Sequence, residues 1–480
     1  MKKPEDFSHY FLYRWRYVIG YSLIAVLLVT LLLFAALFTP AGLSAAEMRA
    51  AATSASLSFS DSSTLAVTNL PYHLFQSGIF SLFGVSNFTI KLPSLLIALA
   101  SAAGFIMLLR RWFTLNVAVL ASLIVVTTGQ FLYIAQLGTA SILYIFWPIL
   151  ILLLGTQITR GAYKWRFAAK IAFVIAVVMS LYTPLSIYPL IAVILTVLLH
   201  PHLRATLRKL SKKRLVIITG IGVLLLAPLG YLISQNPPLG LTLLGLPEQW
   251  PPNIAENAVT VLKQYFLFWE PSATTVMTPV FGLGSALVIG IGLYRLFRTR
   301  ETTRSYLVTL WFLSLIPILL LNPSFTSASF IPSMLMLAAG LTSLIGYWYR
   351  LFPLNPYARI GGLVPIVILV GVLISTGLIR YAYGYHYTPM VASLFSRDLT
   401  LLPKDTRTLV VSEKEKPFFD AVAKYRENLT VRQSVPTAGT FTITHEAQKK
   451  TPEGYSVERI IANSSIDSAA RYYVYQKDAN

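Results

Sequence analysis

The segment GLSAAEMRAAA, residues 42–52, sets a carboxylate, Glu47, two residues before a cation, Arg49, just after the first long apolar run of the chain. A carboxylate within hydrogen-bond reach of an acceptor hydroxyl can take its proton as that oxygen attacks an electrophilic carbon. A neighbouring arginine can hold an anionic leaving group such as a phosphate through charge-assisted hydrogen bonds. The same letters have a structural use: Ser44 stands three residues before Glu47, the spacing of a capping box that closes the start of a helix. Asp61, in SFSDSSTL, is a second candidate base or metal ligand, or else the turn residue that an Asp among serines commonly is. His73, in LPYHLF, is a candidate contact to substrate or to a cation, although one histidine without ligand spacing is a weak metal signal. Further on, LKQYFLFWEPS, residues 262–272, interleaves Lys263, Tyr265, Trp269 and Glu270. Aromatic faces suit sugar rings and a lysine suits phosphate, while the same pattern also forms the aromatic belt at a bilayer interface.

The elements that must position these groups are membrane helices. Of the 480 residues, 55% are hydrophobic and 12% charged, far below the roughly 25% charged of a soluble domain. The formal charge of +20 does not describe a nucleic-acid binder, because the Lys and Arg sit in short clusters between apolar runs rather than on a solvated face. They set topology instead. If the chain crosses the bilayer about eleven times, twenty-two basic residues between Lys2 and Arg359 fall on one side, and only Arg49, Lys91, Lys263 and Arg380 fall on the other. The expected arrangement is a multi-pass plasma-membrane protein with a cytoplasmic N-terminus and two long outer loops, 39–91 and 234–275. With no cysteine, disulfides, thiolate metal sites and Cys nucleophiles are excluded. The first apolar run, from about Tyr17 to Phe38, reads as a retained anchor.

Outside the last hundred residues the carboxylates are Glu5, Asp6, Glu47, Asp61, Glu248, Glu256, Glu270 and Glu301, and none falls in the middle of an apolar run. Ion-coupled carriers keep carboxylates at mid-membrane depth, so the chemistry is expected at the outer surface, from the five acids of the two outer loops. GLSAAEMRAAATSASL should form an interfacial helix there, and PYHLFQSGIFSLFG, residues 71–84, should lie on the membrane surface. The final hundred residues hold 13 of the 39 basic and 11 of the 19 acidic residues, which marks a water-soluble domain. TRTLVVSE, TFTITHE and ARYYVYQKD read as strands and KPFFDAVAKYREN as a helix, a small α/β fold outside the membrane. The expected division is 1–384, a transmembrane domain, and 385–480, a soluble extracytoplasmic domain.

The segment FSLFGVSNFTIKLPSLLIALASAAGFIMLLRRWF, followed by AVLASLIVVTTGQFLYIAQLGTASILYIFW, resembles the GT-C membrane glycosyltransferases of the protein O-mannosyltransferase and aminoarabinose-transferase group. In these an "LFG…RLPS" surface segment leads into two spans joined by a basic turn. The resemblance implies a GT-C-like polytopic α-helical fold and the transfer of a sugar from a polyprenyl-phosphate donor to an envelope lipid, glycan or protein. It also implies roles for particular residues. The family pattern DExRYA corresponds to AEMRAA, residues 46–51, so Glu47, Arg49 and Ala51 match while Ala46 stands where the family has its catalytic Asp. The family arginine near "ARPD" is missing from AQLGTAS, residues 135–141, and that of "RYLLP" from ASFIP, residues 328–332. On this resemblance Glu47 is the expected base, and Asp61, read from its own segment, is the second candidate acid. Arg49, His73, Lys263, Trp269 and Glu270 are the expected substrate contacts, beside membrane lipids. A divalent metal is left open and no other cofactor is called for. Two other classes stay open: a GT-C-like envelope protein that binds polyprenyl or glycan without turnover, and a flippase for lipid-linked glycans.

Overall fold

The computed structural model describes residues 11–38, 42–160, 166–208, 212–247, 249–269, 272–273, 277–299, 302–351, 356–361, 363–386, 394–395, 397–426, 428–436, 439–448, 452–462 and 471–477. The apolar runs form helices because, in lipid, only intrasegment hydrogen bonds satisfy the backbone. In chain order they are α1 (Phe11–Phe38), the loop helices α2 (Ala45–Ser56) and α3 (Leu70–Phe83), α4 (Asn87–Trp112), α5 (Leu115–Val126), α6 (Gly129–Gln136), α7 (Leu143–Arg160), α8 (Arg166–Ser180), α9 (Ile187–Leu199) and α10 (Pro201–Arg208). There follow α11 (Lys212–Gln235), α12 (Pro237–Leu243), α13 (Ile254–Phe266), α14 (Leu283–Arg298), α15 (Thr303–Leu321), α16 (Phe330–Leu351), α17 (Pro356–Gly361) and α18 (Leu363–His386). Among the described residues seven helices are long and apolar enough to cross a bilayer. An eighth span arises if α5 and α6, bent by 56° at Thr127–Thr128, count as one, and α8 and α9 contain shorter apolar helices. PYHLFQSGIFSLFG lies within α3 and its C-cap Gly84, a 14-residue helix that is not among those spans.

The spans pack through small residues as well as large ones. On α14 and α16 a Cβ added to Gly292 would overlap the Met336 carbonyl, and one added to Gly340 would overlap the Val288 carbonyl. The two backbones therefore touch, as small-residue helix pairs do in membranes. The main core runs through α1, α4–α7, α14–α16 and α18, with Trp311, Tyr133, Phe131 and Phe330 fully enclosed. At one end of the bundle the basic clusters sit against aromatic rings, Arg110 over Tyr21 at 5.1 Å and Arg304 over Phe113 at 5.0 Å.

The other end is capped. There α2 and α3 join the C-terminal sheet domain in a second core that includes Leu43, Ala51, Phe80, Ile90, Leu409, Phe418, Phe419 and Val422. That domain is a mixed five-stranded sheet in the order β4–β3–β5–β7–β6, formed by β3 (Thr408–Val410), β4 (Thr430–Arg432), β5 (Phe441–Thr444), β6 (Tyr455–Ile461) and β7 (Tyr472–Lys477), with α19 (Lys416–Lys424) crossing between the parallel strands β3 and β4. The strands read from TRTLVVSE, TFTITHE and ARYYVYQKD are β3, β5 and β7. The sequence signal misses β4, which has three residues, and β6, an edge strand whose YSVERII is mostly exposed and charged at Glu458 and Arg459. A short two-stranded hairpin, β1 (Ser272–Ala273) with β2 (Met277–Thr278), lies between α13 and α14.

The sheet domain is fastened to the bundle by polar contacts. Leu43 pairs with Arg397 in an antiparallel bridge, the Asn87 amide donates to Asp398 at 2.7 Å, and Lys424 Nζ donates to the Ala55 carbonyl at 2.6 Å. The buried Arg397 guanidinium is itself held by Glu415 and by Glu446, the latter at 2.8 Å. Asn87 begins an Asn-Phe-Thr sequon, but its side chain is occupied in this junction, where its Oδ1 also accepts from the Leu399 N–H at 3.1 Å.

Candidate functional site

Glu47 is fully buried. Ser44 is the N-cap of α2 and Glu47 its third residue, and the capping box is complete. Glu47 Oε2 accepts from the Ser44 N–H at 2.8 Å and the Ser44 hydroxyl at 2.9 Å, while the Glu47 N–H donates to Ser44 Oγ at 3.3 Å. Its other oxygen, Oε1, accepts from the Gly138 N–H at 2.8 Å and lies 3.9 Å from Lys91 Nζ. Lys91, 1% exposed, also donates to the Gly42 carbonyl at 3.1 Å. One carboxylate thus ties α2, the turn after α6 and the start of α4 together, with its charge matched by a buried lysine. Ala46 is exposed. Consecutive helical residues point about 100° apart, so the inward direction of Glu47 is not the direction of residue 46.

His73 lies in a second buried network. Its Nδ1 is 2.8 Å from Ser54 Oγ, Ser54 donates to Gln76 Oε1 at 2.6 Å, and Gln76 Nε2 donates to the Ile90 carbonyl at 2.8 Å. Desolvation depresses the imidazole from 6.5 to about 4, opposed by a hydrogen bond to the Ala50 backbone. This chain of bonds stitches α2 to α3 and α4 with a neutral histidine. Because the unfolded chain binds this proton and the folded one does not, stability is complete above pH 6.5 and falls as pH drops towards 4, by roughly 3 kcal/mol at most. A His73→Gln variant is expected to flatten the difference in melting temperature between pH 6.5 and pH 4, and calorimetry of the purified protein checks it.

The remaining expected contacts are spread out. Asp61 is exposed and caps the 3₁₀ turn Ser62–Leu65, accepting from the Ser63 N–H at 2.9 Å and hydroxyl at 2.7 Å, bonds that lower its pKa. Arg49 is exposed and donates to the Ala45 carbonyl of its own helix at 3.3 Å. Lys263 is exposed in the last turn of α13, and Trp269 is 75% exposed. Tyr265, from the same segment, turns inward and bonds Ser329, with its phenol pushed up to about 12 by burial. Glu270 lies outside the described residues. Among the described residues no three His, Asp or Glu side chains gather where they could hold a metal ion.

A different set of polar groups converges on α6, whose eight residues, GQFLYIAQ, are all buried. Phe131 stacks on Phe330 with ring centroids 6.3 Å apart, and Phe330 stacks on Phe281 at 6.1 Å, which seats α6 against α16 and the start of α14. Gln130 Oε1 accepts from the Met277 N–H at 2.9 Å, and Gln136 Oε1 accepts from the Tyr381 hydroxyl. The amide nitrogens of both glutamines are buried without a partner, as are Nε and Nη2 of Arg380 on α18. Charge patterning marks Arg380 only as a topology signal and passes over Gln130 and Gln136. Their signal is two carboxamides in an otherwise apolar run, since polar groups at membrane depth are costly and are kept for use.

Residues 70–231 match the family described as dolichyl-phosphate-mannose-protein mannosyltransferase. No curated protein matches the chain by sequence. Among solved structures, ArnT from Cupriavidus metallidurans bound to undecaprenyl phosphate superposes with a TM-score of 0.55 at 13% identity, covering 95% of this chain and 97% of that one. The apo form of the same protein gives 0.53 at 14% identity, over 95% and 98%. At this identity the likeness is one of fold.

Proposed function

Starting from a chain that has the fold of the GT-C glycosyltransferase superfamily, we propose that this protein is an integral-membrane glycosyltransferase that uses a polyprenyl-phosphate-linked sugar and works at the outer face of the membrane. The observation that carries this reading is the superposition of 95% of the chain on a structure that contains undecaprenyl phosphate. The match of residues 70–231 to a mannosyltransferase family supports it. In the reaction, an acceptor hydroxyl oxygen forms a bond to the anomeric carbon while the bond from that carbon to the phosphate oxygen breaks, with inversion. The acceptor proton passes to a base, and the polyprenyl phosphate leaves with the electron pair. The capped end of the bundle is where the donor would be enclosed, between α2, α3, α6 and the sheet domain.

Within this reading Glu47 fixes the frame of the site. Glu47 is fully buried with both oxygens hydrogen-bonded, so a direct base role requires the cover over its carboxylate to open to the acceptor. A second reading, a GT-C-like envelope protein that binds the lipid-linked glycan without turnover, is favoured by Ala46. That residue is exposed where the family pattern has its Asp. Protein reconstituted in nanodiscs and supplied with radiolabelled polyprenyl-phosphate sugars and envelope extract separates the two. Acceptor-dependent release of polyprenyl phosphate is expected. Donor binding with no release across mannose, glucose, galactose and aminoarabinose donors would establish the second reading in its place.

A further inference from the structure

At the end of the bundle away from the sheet domain, a cavity of about 90 Å³ lies where α4 and α14 end and α15 begins. Its buried floor includes Val308 and Leu335, while Thr299 and Thr302 stand exposed at its rim. Two arginines line it. Arg304 is fixed in place, donating to the Trp112 carbonyl and lying 5.0 Å over the Phe113 ring. Arg295 is part-buried, and among the described residues its guanidinium makes no hydrogen bond and no ion pair. Arg350, in the last turn of α16, adds a third positive charge to the field at Arg295. Like charges gathered in a partly dry space repel one another, and an anion seated between them removes that cost. Hydroxyls complete the wall, with Ser305 Oγ 2.8 Å from Thr302 Oγ1 and 3.3 Å from Thr299 Oγ1. Guanidinium and hydroxyl groups together suit the oxygens of a phosphate.

The surface leading to the cavity indicates what carries that phosphate. On α14, Leu283, Leu287, Ile291 and Tyr294 are large, exposed and spaced four, four and three residues apart, so they form one apolar stripe along the helix. Arg295 follows Ile291 by four residues and stands at the end of that stripe. An acyl chain can lie along the stripe while its headgroup reaches the arginine, whereas a soluble anion has no use for it. We propose that this cavity seats an anionic lipid, with its phosphate between Arg295 and Arg304 and an acyl chain along α14. Basic pockets between membrane helices bind lipid headgroups in this way. The lipid ties the ends of α4, α14 and α15 together; no covalent bond forms or breaks.

The test uses full-length protein in detergent, titrated with phosphatidylglycerol, phosphatidylcholine and inorganic phosphate, and read by native mass spectrometry and by melting temperature. Phosphatidylglycerol is expected to bind more tightly than phosphatidylcholine and to raise the melting temperature. Arg295→Gln is expected to weaken phosphatidylglycerol binding about tenfold and to remove that rise. Arg298→Gln deletes the same charge at an exposed position that does not line the cavity, and should change neither. Wild-type affinity in R295Q would overturn the proposal, and so would equal weakening in R298Q, which would mean attraction to diffuse surface charge. Inorganic phosphate displacing phosphatidylglycerol at equal concentration would overturn the lipid assignment. Glu301, the acid between α14 and α15, lies outside the described residues. Phosphatidylglycerol binding in Glu301→Gln but not in the wild type would mean that the chain's own acid fills the cavity, and would overturn the proposal. Should R295Q fail to fold, Thr299→Glu gives the same answer from an exposed position. Four residues after Arg295, its carboxylate can occupy that guanidinium and should abolish phosphatidylglycerol binding, and unchanged binding would again overturn the proposal.

Discussion

Replacing Glu47 with alanine is expected to destabilise the protein by about 3–5 kcal/mol, the cost of leaving a buried partner charge uncompensated. The effect is large because one side chain serves three segments. Its removal orphans the Gly138 N–H, opens the capping box at Ser44 and takes from Lys91 the carboxylate 3.9 Å away. The double variant Glu47→Ala/Lys91→Met is expected to recover a substantial part of the loss, since removing both charges is far less costly than removing one. Melting temperatures of the wild type, the two single variants and the double variant in one detergent check this. Transfer assays on the folded fraction, after the activity has been detected in the wild type, separate the two roles considered for Glu47. A frame residue loses activity in proportion to folded protein, whereas a base loses it with the melting temperature intact. An E47A protein with native stability and no transfer would return the base role to Glu47.

Substituting Gly292 with alanine is expected to cost about 3 kcal/mol or more, through forced separation of two packed helices. The added methyl would overlap the Met336 carbonyl, a backbone atom that cannot move without shifting α16. The same change two residues earlier is the control. A Cβ at Gly290 meets nothing within 4 Å, so Gly290→Ala should be neutral or stabilise by up to about 1 kcal/mol through helix propensity alone. Equal melting temperatures for the two variants would mean that α14 and α16 are not in backbone contact.

The capping box is legible in the letters alone, because an N-cap serine and a glutamate three residues on define a local geometry that neighbouring chain hardly alters. What Ser44-x-x-Glu47 does not disclose is that the second carboxylate oxygen meets Gly138, 91 residues away. His73 shows the same division. Its place on an apolar helix can be read from LPYHLF, but its neutrality comes from the burial imposed by the packing of α2 on α3. In the tail, the strands with apolar alternation are visible in the sequence, while the charged edge strand β6 cannot be told from loop, since its partner β7 supplies the hydrogen bonds that make it a strand.

By itself the sequence determined that this chain is a multi-pass membrane protein of apolar helices, that a small sheet domain follows them, and that it resembles the GT-C transferases. Composition and helical length suffice for these, because the bilayer's thickness and its lack of hydrogen-bond partners act on every segment independently. Only the tertiary structure decided which polar groups converge. Glu47, Gly138 and Lys91 are ordinary letters until the fold brings α2, the turn after α6 and the start of α4 together. Whether a buried polar group is paired depends on contacts between segments far apart in sequence, 91 residues for Glu47 with Gly138 and 245 for Gln136 with Tyr381.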